Sequence, residues 1–165
     1  YLTTNNYDLS TMRFRSLKGL KKRIDFSKNR LTIIQIMGSW CPNCLDETNY
    51  FKKIYPAYKD KGLEIISVGF ESQSTRRKRR KHLKKFKQKA SIPYLMCLGG
   101  TASKKEASKK FDMLNEIISF PTTLFVNDKG QIIHIHTGFY GPGTGNYYDQ
   151  HKKQTESLIE RHLRQ

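Results

Sequence analysis

The chain has 165 residues, 31 Lys+Arg against 14 Asp+Glu, a formal net charge of +17, and 36% hydrophobic residues. That length is room for one domain with one core, the apolar content is too patterned for a disordered chain, and no apolar run approaches the roughly 20 residues of a spanning helix. Three cysteines are too few for a disulfide scaffold of this size, while the charge raises a nucleic-acid reading that depends on where it sits.

Residues 1–30 are polar and mixed, and Arg13-Phe14-Arg15 alternates, which predicts a short strand before a turn at Gly19. No signal peptide or targeting motif is visible. Because the sequence starts at Tyr1, the expectation is that an N-terminal targeting segment is absent from it. LTIIQIMG (31–38) reads as a buried strand bounded by turn formers. Trp40-Cys41-Pro42-Asn43-Cys44 follows at once, with Pro42 suited to a first helical position where a missing N–H costs nothing. Leu45, Phe51, Ile54, Tyr55 and Tyr58 continue a helix to about Lys59, and Lys61-Gly62 ends it. LEIISVGF (63–70) is a second buried strand, so the first half reads strand–helix–strand with parallel pairing.

Residues 75–89 read TRRKRRKHLKKFKQK, with ten Lys or Arg and no acid; the rest of the chain keeps 21 basic and 14 acidic residues, an excess of only +7. Leu83, Phe86 and Ala90 form one narrow apolar stripe on a helix that is otherwise charged. Such blocks are usually hydrated, so a solvated surface helix is the plain expectation. The sharper alternatives are an anionic membrane surface, through 76–89, or nucleic acid. Phe86 is the only aromatic here and faces the stripe, so nucleic acid is not the expected partner.

A strand at IPYLMCL (92–98), a short helix at 104–111 and a strand at TTLFVN (122–127) come next. Asn127-Asp128-Lys129-Gly130 is a turn and QIIHIHTG (131–138) its antiparallel partner. A glycine-rich loop (138–145) leads into a final helix at about 147–163. The loop lacks the Gly-Lys-Ser/Thr ending of a phosphate loop and reads as a connection.

Cys-x-x-Cys fits a zinc half-site, a redox pair or two unrelated thiols. Zinc needs four ligands, and the remaining cysteine, Cys97, stands alone in an apolar strand as a buried, inert residue. His134 and His136 share one strand face and read first as a solvent-facing pair; neither a metal nor another cofactor is expected. Redox chemistry needs only two thiols. Cys41 at a helix start gains from the helix dipole and open N–H groups, which favour the thiolate that attacks disulfides. Cys44, one turn on, is placed to resolve the mixed disulfide, and Trp40 offers an apolar contact beside the nucleophile.

Four segments carry a family resemblance over about residues 13–163: Ile34 to Cys44, Glu64 to Val68, Phe120 to Val126, and the turn at Asn127 to Gly130. The sequence resembles the thioredoxin superfamily, and within it the TlpA/ResA-like thiol–disulfide oxidoreductases. The resemblance implies an α/β, thioredoxin-like fold in a single domain (1–165), a central mixed β-sheet flanked by helices. It implies an insertion at about 71–119, before the cis-proline strand. It makes Cys41 and Cys44 the catalytic pair and Pro121 the cis-proline. Phe120 then presents the backbone that docks substrate, with Trp40 and Pro42 beside it. The implied partners are disulfide-containing or dithiol proteins and a membrane electron donor, in an extracytoplasmic setting, with reduction the expected direction.

Two departures stand out. Where thioredoxin has a buried acid six residues before the first cysteine, this chain has Gln35, which cannot accept a proton in that role. Glu47, three residues after Cys44, matches an acidic position of the TlpA-like helix and is a candidate for proton transfer. The preferred reading of Glu47 is nevertheless an ordinary carboxylate, either exposed or in the N-terminal turn and favoured by the dipole. Two rival functions are a thiol peroxidase and a polyanion-binding module; no Pro-x-x-x-Thr-x-x-Cys spacing leads to Cys41, which sets the first aside.

Overall fold

The computed structural model describes residues 8–112, 114 and 119–164; Ile118, which the sequence places at the head of the Phe120-Pro121 segment, lies outside them. Alternation in Arg13–Ser16 gives strand β1, and Lys21–Arg23 gives β2. The apolar runs give β3 (Leu31–Met37) and β4 (Leu63–Glu71), followed by β5 (Leu95–Thr101), β6 (Thr122–Asn127) and β7 (Ile132–Thr137). The helices are α1 (Pro42–Tyr58), α2 (Arg76–Lys89), α3 (Lys104–Lys110) and α4 (Asn146–Leu163). Among the described residues the strands form one sheet in the order β2-β1-β5-β4-β3-β6-β7. β3, β4 and β5 run parallel, and β1 and β6 join their flanks antiparallel.

β3 is buried at every residue because both faces of the sheet are covered. Leu31, Ile33 and Met37 point into one core with Phe51, Leu83 and Ile159, from α1, α2 and α4. Ile34 and Ile36 point into the other, with Phe14, Phe26, Ala107 and Phe111. Alternation along one strand thus feeds two apolar layers. A 3-10 turn (Lys59–Lys61) follows α1 and ends at Gly62, whose φ of 111° and packing against the Arg30 side chain suit a residue without a Cβ.

Leu83 is fully buried, and Phe86 and Ala90 lie partly buried beside it, so the apolar stripe anchors α2 as its spacing requires. Arg76, Arg77, Lys78, Lys81, Lys84, Lys85 and Lys89 are exposed. The strand expected at 92–98 instead covers 95–101. Pro93 has no N–H to give a ladder, and the Ile92 N–H is spent on the Lys87 carbonyl. The segment around Arg13 also does more than precede a turn, since β1 pairs antiparallel with β5 at Arg15–Leu98 and Ser16–Cys97.

Candidate active site

Cys41 is the N-cap of α1 and Pro42 its first helical residue, exposed at the surface. The Cys44 N–H donates to Cys41 Sγ at 3.3 Å, so an otherwise open main-chain donor points at the sulfur. Both thiols are free. The hydrogen bond with the Cys44 thiol brings the Cys41 thiol down to about 7, helped by the N–H groups of Cys44 and Asn43 and opposed by burial. Cys44, wholly inaccessible, is pushed far up by burial, by its hydrogen bond to Cys41, and by the charges of Cys41 and Glu47. One thiol is therefore ionised near neutral pH and its partner is held as a proton carrier.

Across from Cys41 lies the segment before β6. The Phe120–Pro121 peptide is cis, and Cys41 Sγ is 3.5 Å from the Phe120 carbonyl oxygen. Trp40 packs edge-on against Phe120 with ring centroids 5.3 Å apart, and Phe120 lies 6.0 Å from Phe70. The Trp40 indole N–H donates to the Phe70 carbonyl at 2.8 Å, yet the ring stays 47% exposed beside the thiol. Gly38 makes this possible: a Cβ there would collide with the indole. Trp40, Cys41, Phe120 and Pro121 thus converge, with Pro42 at the rim. Phe70 joins them without a local sequence signal, because only strand pairing brings it there.

Glu47 corrects the sequence reading. It is 1% exposed, not a solvated carboxylate. Its position three residues after Cys44 puts it on the same helix face, which lies on the sheet. There Thr123, Gln35 and Ser67 form one polar row across β6, β3 and β4. Thr123 Oγ1 donates to the Glu47 carboxylate at 2.9 Å. Gln35 Nε2 donates to Thr48 Oγ1 and to the Cys44 carbonyl, and Ser67 Oγ donates to Gln35 Oε1 at 2.7 Å. Burial pushes the Glu47 carboxyl up to about 8, against the hydrogen bonds from Thr123 and Gln35. Gln35 holds this row together and Glu47 supplies its ionisable group.

A second buried acid escaped the sequence reading. Glu71, at the end of β4, is 1% exposed and accepts from the Ser39 main-chain N–H at 2.9 Å and from the Ser39 hydroxyl. His82 of α2 reaches the same place, 3.1 Å from Ser39 Oγ and 3.8 Å from Glu71. Burial raises the Glu71 carboxyl above its ordinary range. The loop before Cys41 is therefore tied to β4 and to the basic helix.

Other candidates lie apart. Cys97 sits in the opposite core layer, and burial pushes its thiol up to about 11. His134 is exposed, but His136 is not simply solvent-facing; its ring lies against that of His151 of α4, tilted by 33° with centroids 4.3 Å apart. Among the described residues no group of three or more His, Cys, Asp or Glu is arranged to hold a metal ion. The glycine-rich loop borders the site and shares a cleft with Asn43 and Asp46 of α1.

Comparison with known proteins bears on this geometry. Residues 15–150 match the Redoxin family. The chain is 24% identical over 149 residues to thiol-disulfide oxidoreductase ResA of Geobacillus kaustophilus (strain HTA426), covering 89% of this chain and 69% of that protein. The crystal structure of StoA from Bacillus subtilis superposes with a TM-score of 0.58 at 24% identity, over 87% of this chain and 95% of that one. A thiol:disulfide interchange protein of the thioredoxin family from Chlorobium tepidum TLS gives 0.68 at 13% identity, over 98% and 99% of the two chains. These likenesses identify the mixed sheet and its helices as a thioredoxin-like fold.

Proposed function

The chain belongs to the Redoxin family and is a thioredoxin-like oxidoreductase, and from that premise we propose that it exchanges protein disulfides through Cys41 and Cys44, in the reducing direction. The Cys41 thiolate attacks one sulfur of a substrate disulfide; a mixed disulfide forms and the other substrate sulfur leaves as a thiolate. Cys44 then gives its proton to Glu47 in its carboxylate form and attacks Cys41 Sγ. The Cys41–Cys44 bond forms, the second substrate thiolate leaves, and two electrons have passed to the substrate. Glu47 suits this because burial holds its pKa at about 8, close to the pH at which it must take a proton. Trp40, Pro42 and the Phe120–Pro121 main chain form the docking face for the substrate backbone.

The observation that carries the reading is the Cys41 sulfur at a helix N-cap, accepting an N–H and facing the Phe120 carbonyl. The test is reduction of a protein disulfide by the purified dithiol form. The parent should reduce it catalytically and Cys41→Ala should not; full activity in Cys41→Ala would reject the assignment. The direction is tested by the Cys41–Cys44 potential against glutathione: a strongly negative value fits a reductase, and a value near that of a strong oxidant reverses it.

The proposed setting is extracytoplasmic, as one domain with electrons from a membrane partner. The exposed basic face of α2 fits the same setting as a contact for an anionic membrane surface. That contact should weaken with salt and survive loss of both thiols.

A further inference from the structure

The Cys pair stands at the C-terminal end of β3. At the other end of the sheet, where the parallel strands β4 and β5 begin, lies a cavity of about 880 Å³. That is within the range of about 300–1,000 Å³ usual for small-molecule sites. It opens between the β1–β2 turn, the starts of β4 and β5, and the last turns of α2. Its lining is apolar beneath the surface, with Phe14 and Ile66 of one core layer and Ile92 and Met96 of the other all buried. Its walls carry Leu20 and Leu95, which are 55% and 45% exposed and put apolar surface in the opening.

The rim is cationic. Lys18, Lys22, Arg23, Lys28, Lys84 and Lys87 line the cavity, against only Asp25 and Glu64. Both acids are engaged within the chain. Glu64 accepts from the Tyr55 hydroxyl and the Ile65 N–H, and Asp25 accepts from the Ser27 N–H and hydroxyl. Among the described residues no carboxylate forms an ion pair with the rim lysines. An apolar trough with an uncompensated positive rim complements a molecule with an apolar chain and an anionic head.

We infer that this cavity binds a fatty carboxylate, its chain along Leu20 and Leu95 and its head among Lys22, Lys28 and Lys84. The site is separate from Cys41 and Cys44, while the buried Cys97 borders it. Apolar burial along the trough sets the affinity, and the rim sets the sign of the head group.

Calorimetric titration of the whole chain with monomeric dodecanoate tests it. The expected result is saturable one-to-one binding, weakened about tenfold by removing two methylenes (decanoate). Dodecyltrimethylammonium, with the same chain and the opposite charge, should bind at least about tenfold more weakly at low salt. Leu95→Glu should lose about tenfold or more in affinity while disulfide reduction stays at the parent rate. Leu20→Glu, at a more exposed site, gives the same reading should Leu95→Glu fail to fold. Absence of saturable binding, equal binding of the cationic analogue, or parent-like affinity in both variants overturns the proposal. So does a parent dimer that Leu95→Glu turns into a monomer, because a second copy would then fill the cavity.

Discussion

Replacing Glu47 by Gln isolates the buried carboxyl from its surroundings. The amide keeps the size and one oxygen that can accept from Thr123 Oγ1; it removes the ionisation and exchanges the second oxygen for an NH2 donor. The raised pKa means that the folded state binds the Glu47 proton more tightly than the unfolded chain does. The parent therefore loses stability as pH rises from its ordinary 4.5 towards about 8, and the loss is complete above that. At about 1.4 kcal/mol per pH unit the full span corresponds to about 5 kcal/mol, an upper figure because the site relaxes around a charge. Urea unfolding of the reduced proteins should show near-equal stability at about pH 5 and an advantage of about 2–5 kcal/mol for Glu47→Gln at about pH 9. The same variant should slow resolution of the mixed disulfide by at least about tenfold, as loss of a proton acceptor does. A stability difference that stays flat with pH, or shrinks as pH rises, would refute the buried-acid account.

Alkylation of the reduced protein by iodoacetamide should show a fast thiol with a midpoint near pH 7, as the lowered Cys41 pKa implies, and Cys41→Ser should remove that phase. Leu83→Ala should cost about 2–5 kcal/mol in urea unfolding, because Leu83 is fully buried beneath α2; a loss below about 0.5 kcal/mol would mean that α2 is not anchored there. Reversing Arg77, Lys81 and Lys85 to Glu should abolish sedimentation with anionic vesicles at low salt while leaving disulfide reduction unchanged. Retained vesicle binding would remove α2 as the contact.

What could be read from the sequence depended on whether the signal was local. β3 and β4 are visible because sandwiched parallel strands need unbroken apolar runs, and Leu31–Met37 and Leu63–Phe70 supply them. The Cys41 N-cap is visible because Pro42 marks the helix start. Glu47 was misread because helical spacing puts it on Cys44's face without saying whether that face meets water or a sheet. Glu71 lies 32 positions from Ser39 and had no local mark at all. The start of β5 was misplaced because Ile92 and Leu95 look alike as apolar residues, while hydrogen bonding separates them. The basic run shows the opposite pattern. Its composition draws the eye, but one stripe of three apolar residues fixes where it packs.

The central claim is that Cys41 attacks and Cys44 releases. Trapping tests it most directly: Cys44→Ser is mixed with a disulfide-bearing protein, quenched with acid, digested and analysed by mass spectrometry without reduction. The account predicts a stable mixed disulfide on Cys41 that accumulates in Cys44→Ser and is only transient in the parent. A trapped adduct on Cys97, or equal accumulation in Cys44→Ser and in a Cys41→Ser control, would contradict it.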